Sequence, residues 1–360
     1  MLDIFLLNSG SGPATQMTGE NDVTQLHKGT PCWFDLYDPT PAEEEAVEKF
    51  LGLDLPTRGE MSEIEATSRI YAAGNALFLT TSLVAGAQLP VPETDAVTFV
   101  LVGNCLATIR YHDPTPIRTF KAILAKAPSR DYPEGGRVMV GLLDTIIDRL
   151  ADILEIIGAN LDALSREVFL ANSHPAEMKP AASAKADAPA TRANQMRAKV
   201  RPNDRDLDLR QTISMLGRGG DLISKARESL VSINRVLVFL DDQCREGGHC
   251  PQPAETHVQL GNIKQDLHSL LDHANFLSGK VAFLLDATLG LINVEQNQII
   301  KIFSIAAVIF LPPTLVASIY GMNFAHMPEL QFVAGYPMAI VLMIISAIIP
   351  YLIFKHKGWV

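Results

Sequence analysis

The chain has 360 residues, 48% hydrophobic and only 19% charged, with a mean hydropathy of +0.15. This excludes a disordered or collagen-like chain and leans toward a membrane component. Lys and Arg number 30 against 40 Asp and Glu, a formal charge of −10 with no long basic run, so a nucleic-acid-binding surface is not expected. Four scattered cysteines, Cys32, Cys105, Cys244 and Cys250, read as reduced intracellular thiols rather than a disulfide framework.

The N-terminal stretch carries Asp3, lacks a basic region and has only a short apolar run, so no signal peptide is expected there. Residues 1–130 show a mixed α/β pattern. Trp33 to Leu36 reads as a short strand and Ala76 to Val84 as a longer one. Ala96 to Val102 and Cys105 to Tyr111 are β-rich runs around Gly103-Asn104, a two-residue hairpin signal. Thr40-Pro41-Ala42-Glu43 is a capping box with proline at the first helical position, so a helix begins there. Glu43, Glu44 and Glu45 then occupy a turn where the helix dipole favours acids, which accounts for them better than a cation site does.

Residues 131–254 change to a helical period. Val138, Leu142, Ile146, Leu150, Ile153 and Ile157 step by three and four, and a second helical pattern covers about Leu207 to Gln243. Between them, the Ala-, Pro- and Lys-rich stretch near 171–206 reads as a flexible tip. Cys244, His249 and Cys250 lack a second ligand pair, and a glycine-containing turn describes them better than a zinc site.

Residues 255–320 form a stalk that continues into a first membrane span. Leu260, Ile263, Leu267, Leu270, Ala274, Leu277, Val281, Leu284, Thr288 and Leu291 alternate steps of three and four, a sustained heptad stripe. No proline or loop signal separates it from the uncharged run Ile302 to Tyr320, which at 1.5 Å per residue spans roughly 28 Å. A second uncharged run, 332–354, spans about 34 Å, and 321–331 is a short connecting loop. Lys301, Lys355 and Lys357 flank the two spans, while the loop has no Lys or Arg. The positive-inside rule therefore puts both flanks, the basic tail 355–360 and the N-terminal domain in the cytoplasm.

The first span contains Pro312-Pro313, whose missing amides leave carbonyls one turn earlier without backbone donors. The loop opens with Tyr320-Gly321-Met322-Asn323-Phe324 and continues Met327-Pro328-Glu329-Leu330, a composition that a plain connector does not require. With FLPPTLVAS before it, GYPMAIVLMIISAIIPYLIFKHKGWV after it and weaker matches from Pro56 to Phe78 and Val97 to Phe120, the chain resembles the CorA family of magnesium transporters over nearly its whole length.

The resemblance implies an α+β membrane protein: a funnel-shaped homopentamer with a cytoplasmic α/β domain, a long helical stalk and a C-terminal two-helix transmembrane hairpin in the inner (plasma) membrane. It implies a channel conducting Mg²⁺, with Co²⁺ and Ni²⁺ as further permeant ions, gated by cytoplasmic Mg²⁺. Its partners would be further copies of itself, divalent ions and lipid, with no cofactor beyond the transported and regulatory ion. Carried over by position, Asn297, Ile300, Phe303, Ala307, Leu311, Thr314 and Ser318 would line the pore, and Gly321, Met322 and Asn323 would form the selectivity filter. Glu329 would concentrate cations at the mouth, and Asp266 and Asp272 are candidate regulatory metal ligands, although a solvated helix face accounts for them better. Asn323 carboxamides suit Mg²⁺ because that ion dehydrates reluctantly and is held through its waters. Ala325 stands where many family members carry an acid, and Pro313 where they rarely carry proline.

A zinc-transporting branch of the family, and a membrane-anchored scaffold or sensor, are the alternatives. Met322 and the MPEL segment favour magnesium, and the polar residues within an apolar span disfavour a plain tether. Phosphate-binding loops and the HExxH and GxSxG motifs do not occur, so no enzyme is expected.

Overall fold

A computed structural model describes residues 1–7, 13–27, 29–63, 65–87, 92–127, 131–170, 202–245, 253–322 and 334–358. Outside these lie most of the 171–206 tip, His249 and Cys250, and the loop from Asn323 through Glu329 to the start of the second span. The chain divides into two compact units, Met1–Leu285 and Asp286–Val360.

In chain order the elements begin with β1 (Leu2–Leu6), β2 (Thr15–Thr18), α1 (Glu20–Val23), β3 (Cys32–Tyr37) and α2 (Pro41–Leu51). There follow α3 (Arg58–Met61), α4 (Ala66–Arg69), β4 (Ile70–Ala73), β5 (Ala76–Ala85), β6 (Glu93–Val102), β7 (Cys105–Arg110) and α5 (Thr115–Leu124). Four long helices complete the chain: α6 (Gly135–Leu170), α7 (Pro202–Arg245), α8 (Pro253–Tyr320) and α9 (Gly335–His356).

The seven strands make one sheet in the order β2-β1-β3-β7-β6-β5-β4, antiparallel except for the parallel pair β3–β7. Alternation along the strands sorts side chains onto two covered faces. Phe5, Trp33, Leu79, Phe99 and Leu106 pack with Phe120 of α5 and Val138 and Leu142 of α6. Ile4, Phe34, Phe78, Val100 and Ile109 pack on the other face with Val47 of α2 and Met61 of α3. The Gly103-Asn104 turn sets Val102 opposite Cys105, with Gly103 at φ 53°. Both arms of the capping box at Thr40 are made. Glu43 also accepts from the Met1 ammonium at 2.9 Å and Glu45 pairs with Lys49 at 2.6 Å, so the acidic triplet serves helix start and surface pairing.

Helix α6 starts two residues before the expected Arg137. Gly135 donates its amide to the Asn104 carbonyl at 2.8 Å, and a Cβ there would lie 2.5 Å from backbone atoms of Cys105 and Leu106. That close approach seats α6 against the β6–β7 turn, and only glycine permits it.

A charged cluster is buried within the α/β part. Asp35 is fully buried and accepts from Arg110 Nη2 at 2.9 Å, Arg110 Nε at 3.1 Å and Thr108 Oγ1 at 2.7 Å, and it also pairs with Lys121. Burial pushes the Asp35 pKa up, but Arg110 and Lys121 outweigh that and hold it below the usual carboxylate range. Lys121 also reaches Asp3 at 2.6 Å, tying α5 to β1.

The heptad stripe faces inward over the part of α8 in the first unit. Leu260, Ile263, Leu267, Ala274, Leu277 and Leu284 are buried in the same cluster as Leu154, Leu161, Ile223 and Leu237 from α6 and α7. Polar ties fix the register: Lys264 to Asp241 at 2.7 Å, Arg137 to Gln259 at 2.7 Å, and Lys280 to Asp162. Thr288, the one polar residue of the stripe, is also fully buried.

Candidate functional site

The second unit is built from the end of α8 and from α9, both long and apolar enough to cross a membrane. Ile300, Phe303, Phe310, Leu311 and Leu315 on α8, and Tyr336, Val341 and Leu352 on α9, are exposed in the single chain. Apolar surface of that extent needs lipid or further protein against it.

The expected pore residues Asn297, Ile300, Phe303, Ala307, Leu311, Thr314 and Ser318 all lie on this unbroken helix, and all are exposed. At 3.6 residues per turn their steps keep them within a sector of about 120°, spread over roughly 31 Å of axis. The face therefore carries polar groups towards its two ends, at 297 and at 314 and 318, with bulky apolar ones at 300, 303 and 311 between them.

Thr314 follows Pro312 and Pro313, which have no amide hydrogen for the carbonyls of Val308 and Ile309. Its Oγ1 donates to the Phe310 carbonyl at 2.7 Å. That bond consumes the hydroxyl's one hydrogen and leaves its oxygen free to accept. The helix ends with the Gly321 amide donating to Ala317 at 3.0 Å and the Met322 amide to Ile319 at 3.3 Å. Gly321 does not take a positive φ, so the chain leaves α8 without a left-handed turn at that glycine. Asn323, Ala325 and Glu329 lie outside the described residues.

Asp266 and Asp272 are both exposed on α8, and six residues of separation turn them about 120° apart. Asp266 lines a polar cavity of about 380 Å³ with Asp131, Asp144, Arg137, Gln259 and Asn262; Asp272 does not. Burial, then the neighbouring Asp148 and Asp266 carboxylates, pushes the Asp144 pKa up. No group of three or more His, Cys, Asp or Glu that would hold a metal occurs among the described residues. The two aspartates are thus not brought together within one chain.

Spacing and composition do not reveal the Thr314–Phe310 bond, although a threonine next to a proline pair, four residues after a carbonyl it can reach, is the local signal for one.

The family profile described as "CorA-like Mg2+ transporter protein" matches residues 28–188 and 191–356. The chain is 33% identical over 361 residues, covering 100% of both chains, to the magnesium transport protein CorA of Yersinia pseudotuberculosis. It is 34% identical over 330 residues, 91% of each chain, to that of Escherichia coli. The complete structure of the CorA magnesium transporter from Methanocaldococcus jannaschii shares the fold, with a TM-score of 0.69 at 20% identity over 100% of this chain and 99% of that one.

Proposed function

Because the chain belongs to the CorA-like Mg²⁺ transporter family, we propose that it conducts hydrated Mg²⁺ through a membrane pore lined by α8. The observation that carries this reading is the exposed α8 face, uncharged from Ile302 to Tyr320 yet set with Thr314 and Ser318 at intervals along it.

A hexahydrated Mg²⁺ turns its water hydrogens outward, and its high dehydration cost favours a path that accepts those hydrogens without stripping the shell. Thr314 suits such a path because its hydrogen is already spent on Phe310, so what it offers is an acceptor. Ser318 and Asn297 add polar levels above and below, and Ile300, Phe303 and Leu311 between them form constrictions that close by dewetting. Several copies around an axis are needed to complete such a pore, and a homopentamer is the assembly proposed. The apolar outer surfaces of α8 and α9 then meet neighbouring copies and lipid.

Gly321, Met322 and Asn323 stand at the outer end of this path as the filter, with Glu329 drawing cations to the mouth. Both termini lie in the cytoplasm of an inner-membrane protein, consistent with Lys301, Lys355 and Lys357 flanking the spans. The membrane potential drives uptake, at about 4.6 kcal/mol per 100 mV for a divalent ion. Transport needs no covalent step and no resident cofactor. Co²⁺ and Ni²⁺, which also carry tightly held waters, are proposed as secondary permeants.

Potential-driven Mg²⁺ uptake into proteoliposomes of the purified protein is the test. Wild type is expected to transport, and Asn323→Ala to lose most uptake while eluting as the same oligomer. A wild-type preparation that shows no potential-dependent flux, or an Asn323→Ala protein that transports normally, would remove the assignment.

A further inference from the structure

A cavity of about 580 Å³ lies between α4, β5 and α7, within the first unit. We propose that it binds a phosphate-chain anion of the pyrophosphate type, held by Arg69, Arg227, Arg235, Ser82 and Ser232.

The case rests on a surplus of hydrogen-bond donors. Arg69 Nη2 donates to Ser82 Oγ at 3.1 Å, but its Nε is buried and meets no acceptor among the described residues. A buried donor left unmade forfeits its hydration without return, so an acceptor is wanted there. Ser232 Oγ already accepts twice, from Thr81 Oγ1 and from the Ser82 amide, each at 3.0 Å. With both lone pairs engaged, its hydroxyl can only donate. Ser82 Oγ accepts from Arg69 and likewise has its hydrogen to give.

Charge points the same way. Lys225 and Asp221 pair at 3.1 Å and largely cancel, and Lys225 also donates to the Pro92 carbonyl. The three arginines then face one further lining carboxylate, Glu228, and none of them makes an ion pair within 4 Å among the described residues. Burial depresses the Arg69 pKa; Glu228 raises it and Arg235 depresses it further, the mark of a guanidinium short of counter-charge. Three guanidinium groups and two serine donors match an anion with several oxygens rather than a single carboxylate.

The lining also limits what the anion carries. Val231 is the one apolar residue lining the cavity among those described, and no aromatic ring is present among them to stack a base. The volume falls within the roughly 300–1,000 Å³ usual for small-ligand sites. A bare phosphate chain therefore fits better than a nucleotide, whose base would find no surface.

The test is isothermal titration of the full-length detergent-solubilised protein in Mg²⁺-free buffer with sodium pyrophosphate and, in parallel, ATP and sulfate. Saturable pyrophosphate binding is expected, with ATP no tighter and sulfate weaker. Charge-assisted bonds of about 1.5–3 kcal/mol predict an affinity loss of about tenfold to a hundredfold for Arg235→Gln and for Arg69→Gln. Arg227→Gln and Arg235→Gln alter exposed positions on α7 and keep the test open should Arg69→Gln fail to fold. Absence of saturable pyrophosphate binding, or unchanged affinity in the folded arginine variants, overturns the proposal. ATP binding more than about tenfold tighter than pyrophosphate overturns the bare-chain assignment. None of these readouts depends on transport.

Discussion

Replacing Thr314 by Val separates the hydroxyl's role in conduction from any role in folding. The two side chains have nearly the same shape, and the exposed position carries no core packing. Loss of the Oγ1 bond at 2.7 Å leaves the Phe310 carbonyl with its ordinary helical partner, the amide of residue 314. Stability is therefore expected to change by no more than about 0.5 kcal/mol. Conduction is different. Each hydroxyl oxygen that accepts from an ion's water shell contributes about 0.5–1.5 kcal/mol. In a ring of copies two or three such contacts vanish together, which at the central value of about 1 kcal/mol each raises the barrier at this level by about 2–3 kcal/mol. At 1.4 kcal/mol per decade that is roughly a 30- to 150-fold loss of flux. Thr314→Ser keeps the acceptor and should stay within about threefold of wild type. Mg²⁺ uptake into proteoliposomes at matched protein density, with the oligomer verified by size-exclusion chromatography, measures both variants. Wild-type flux through the Val protein would show that hydrated ions do not lean on residue 314, and the acceptor argument would fall.

Asp35→Asn removes the carboxylate shared by buried Arg110 and part-buried Lys121, which keep Asp113 and Asp3 as partners, and should cost about 3 kcal/mol, the low end for a broken buried pair, in thermal or denaturant unfolding. Because the folded-state pKa of Asp35 is depressed, its contribution is complete above the unfolded value of about 3.9 and is lost as pH falls through the folded one. Melts between neutral and strongly acid pH should therefore converge for wild type and Asp35→Asn, and parallel curves would contradict this. Gly135→Ala drives a Cβ to 2.5 Å from the Cys105 and Leu106 backbone and should destabilise by about 1–3 kcal/mol, whereas Gly158→Ala, with its nearest contact at 3.6 Å, should be neutral or stabilising in the same melts. Patch-clamp currents should fall as internal Mg²⁺ rises through the millimolar range, and currents that stay constant would remove the gating proposal while leaving conduction in place.

Much of the fold was legible because its signals are local. The capping box at Thr40, the Gly103 turn and the stripe from Leu260 to Leu284 each depend on neighbours in sequence, and each is present in the structure. What stayed hidden depends on partners far along the chain. β1 is only five residues long and owes its place to pairing with β3 on one side and β2 on the other. The Asp35–Arg110 pair spans 75 residues, and nothing near either residue announces the other. The Gly135 contact is of the same kind, since α6 meets the β6–β7 turn only after the sheet has formed. For the site, a helical face could be read from spacing. The direction of the Thr314 hydroxyl, and the cavity that takes in Asp266 but leaves out Asp272, could not.

Helix α8 runs for 68 residues without a break, about 100 Å at 1.5 Å per residue, and that length makes it a lever. From Thr288 to Ser318 the arm is about 45 Å, so a tilt of only about 3° at its base swings the far end by about 2.4 Å. That is close to the width of one water layer. At the constriction proposed at Leu311, about 35 Å from Thr288, the same tilt gives about 1.8 Å, and a site of that kind would pass between wet and dry on a change of this size. Angular changes small enough to leave Thr288 buried would thus be large enough, at the other end of the same unit, to admit or expel the water on which the proposed hydrated ion would travel.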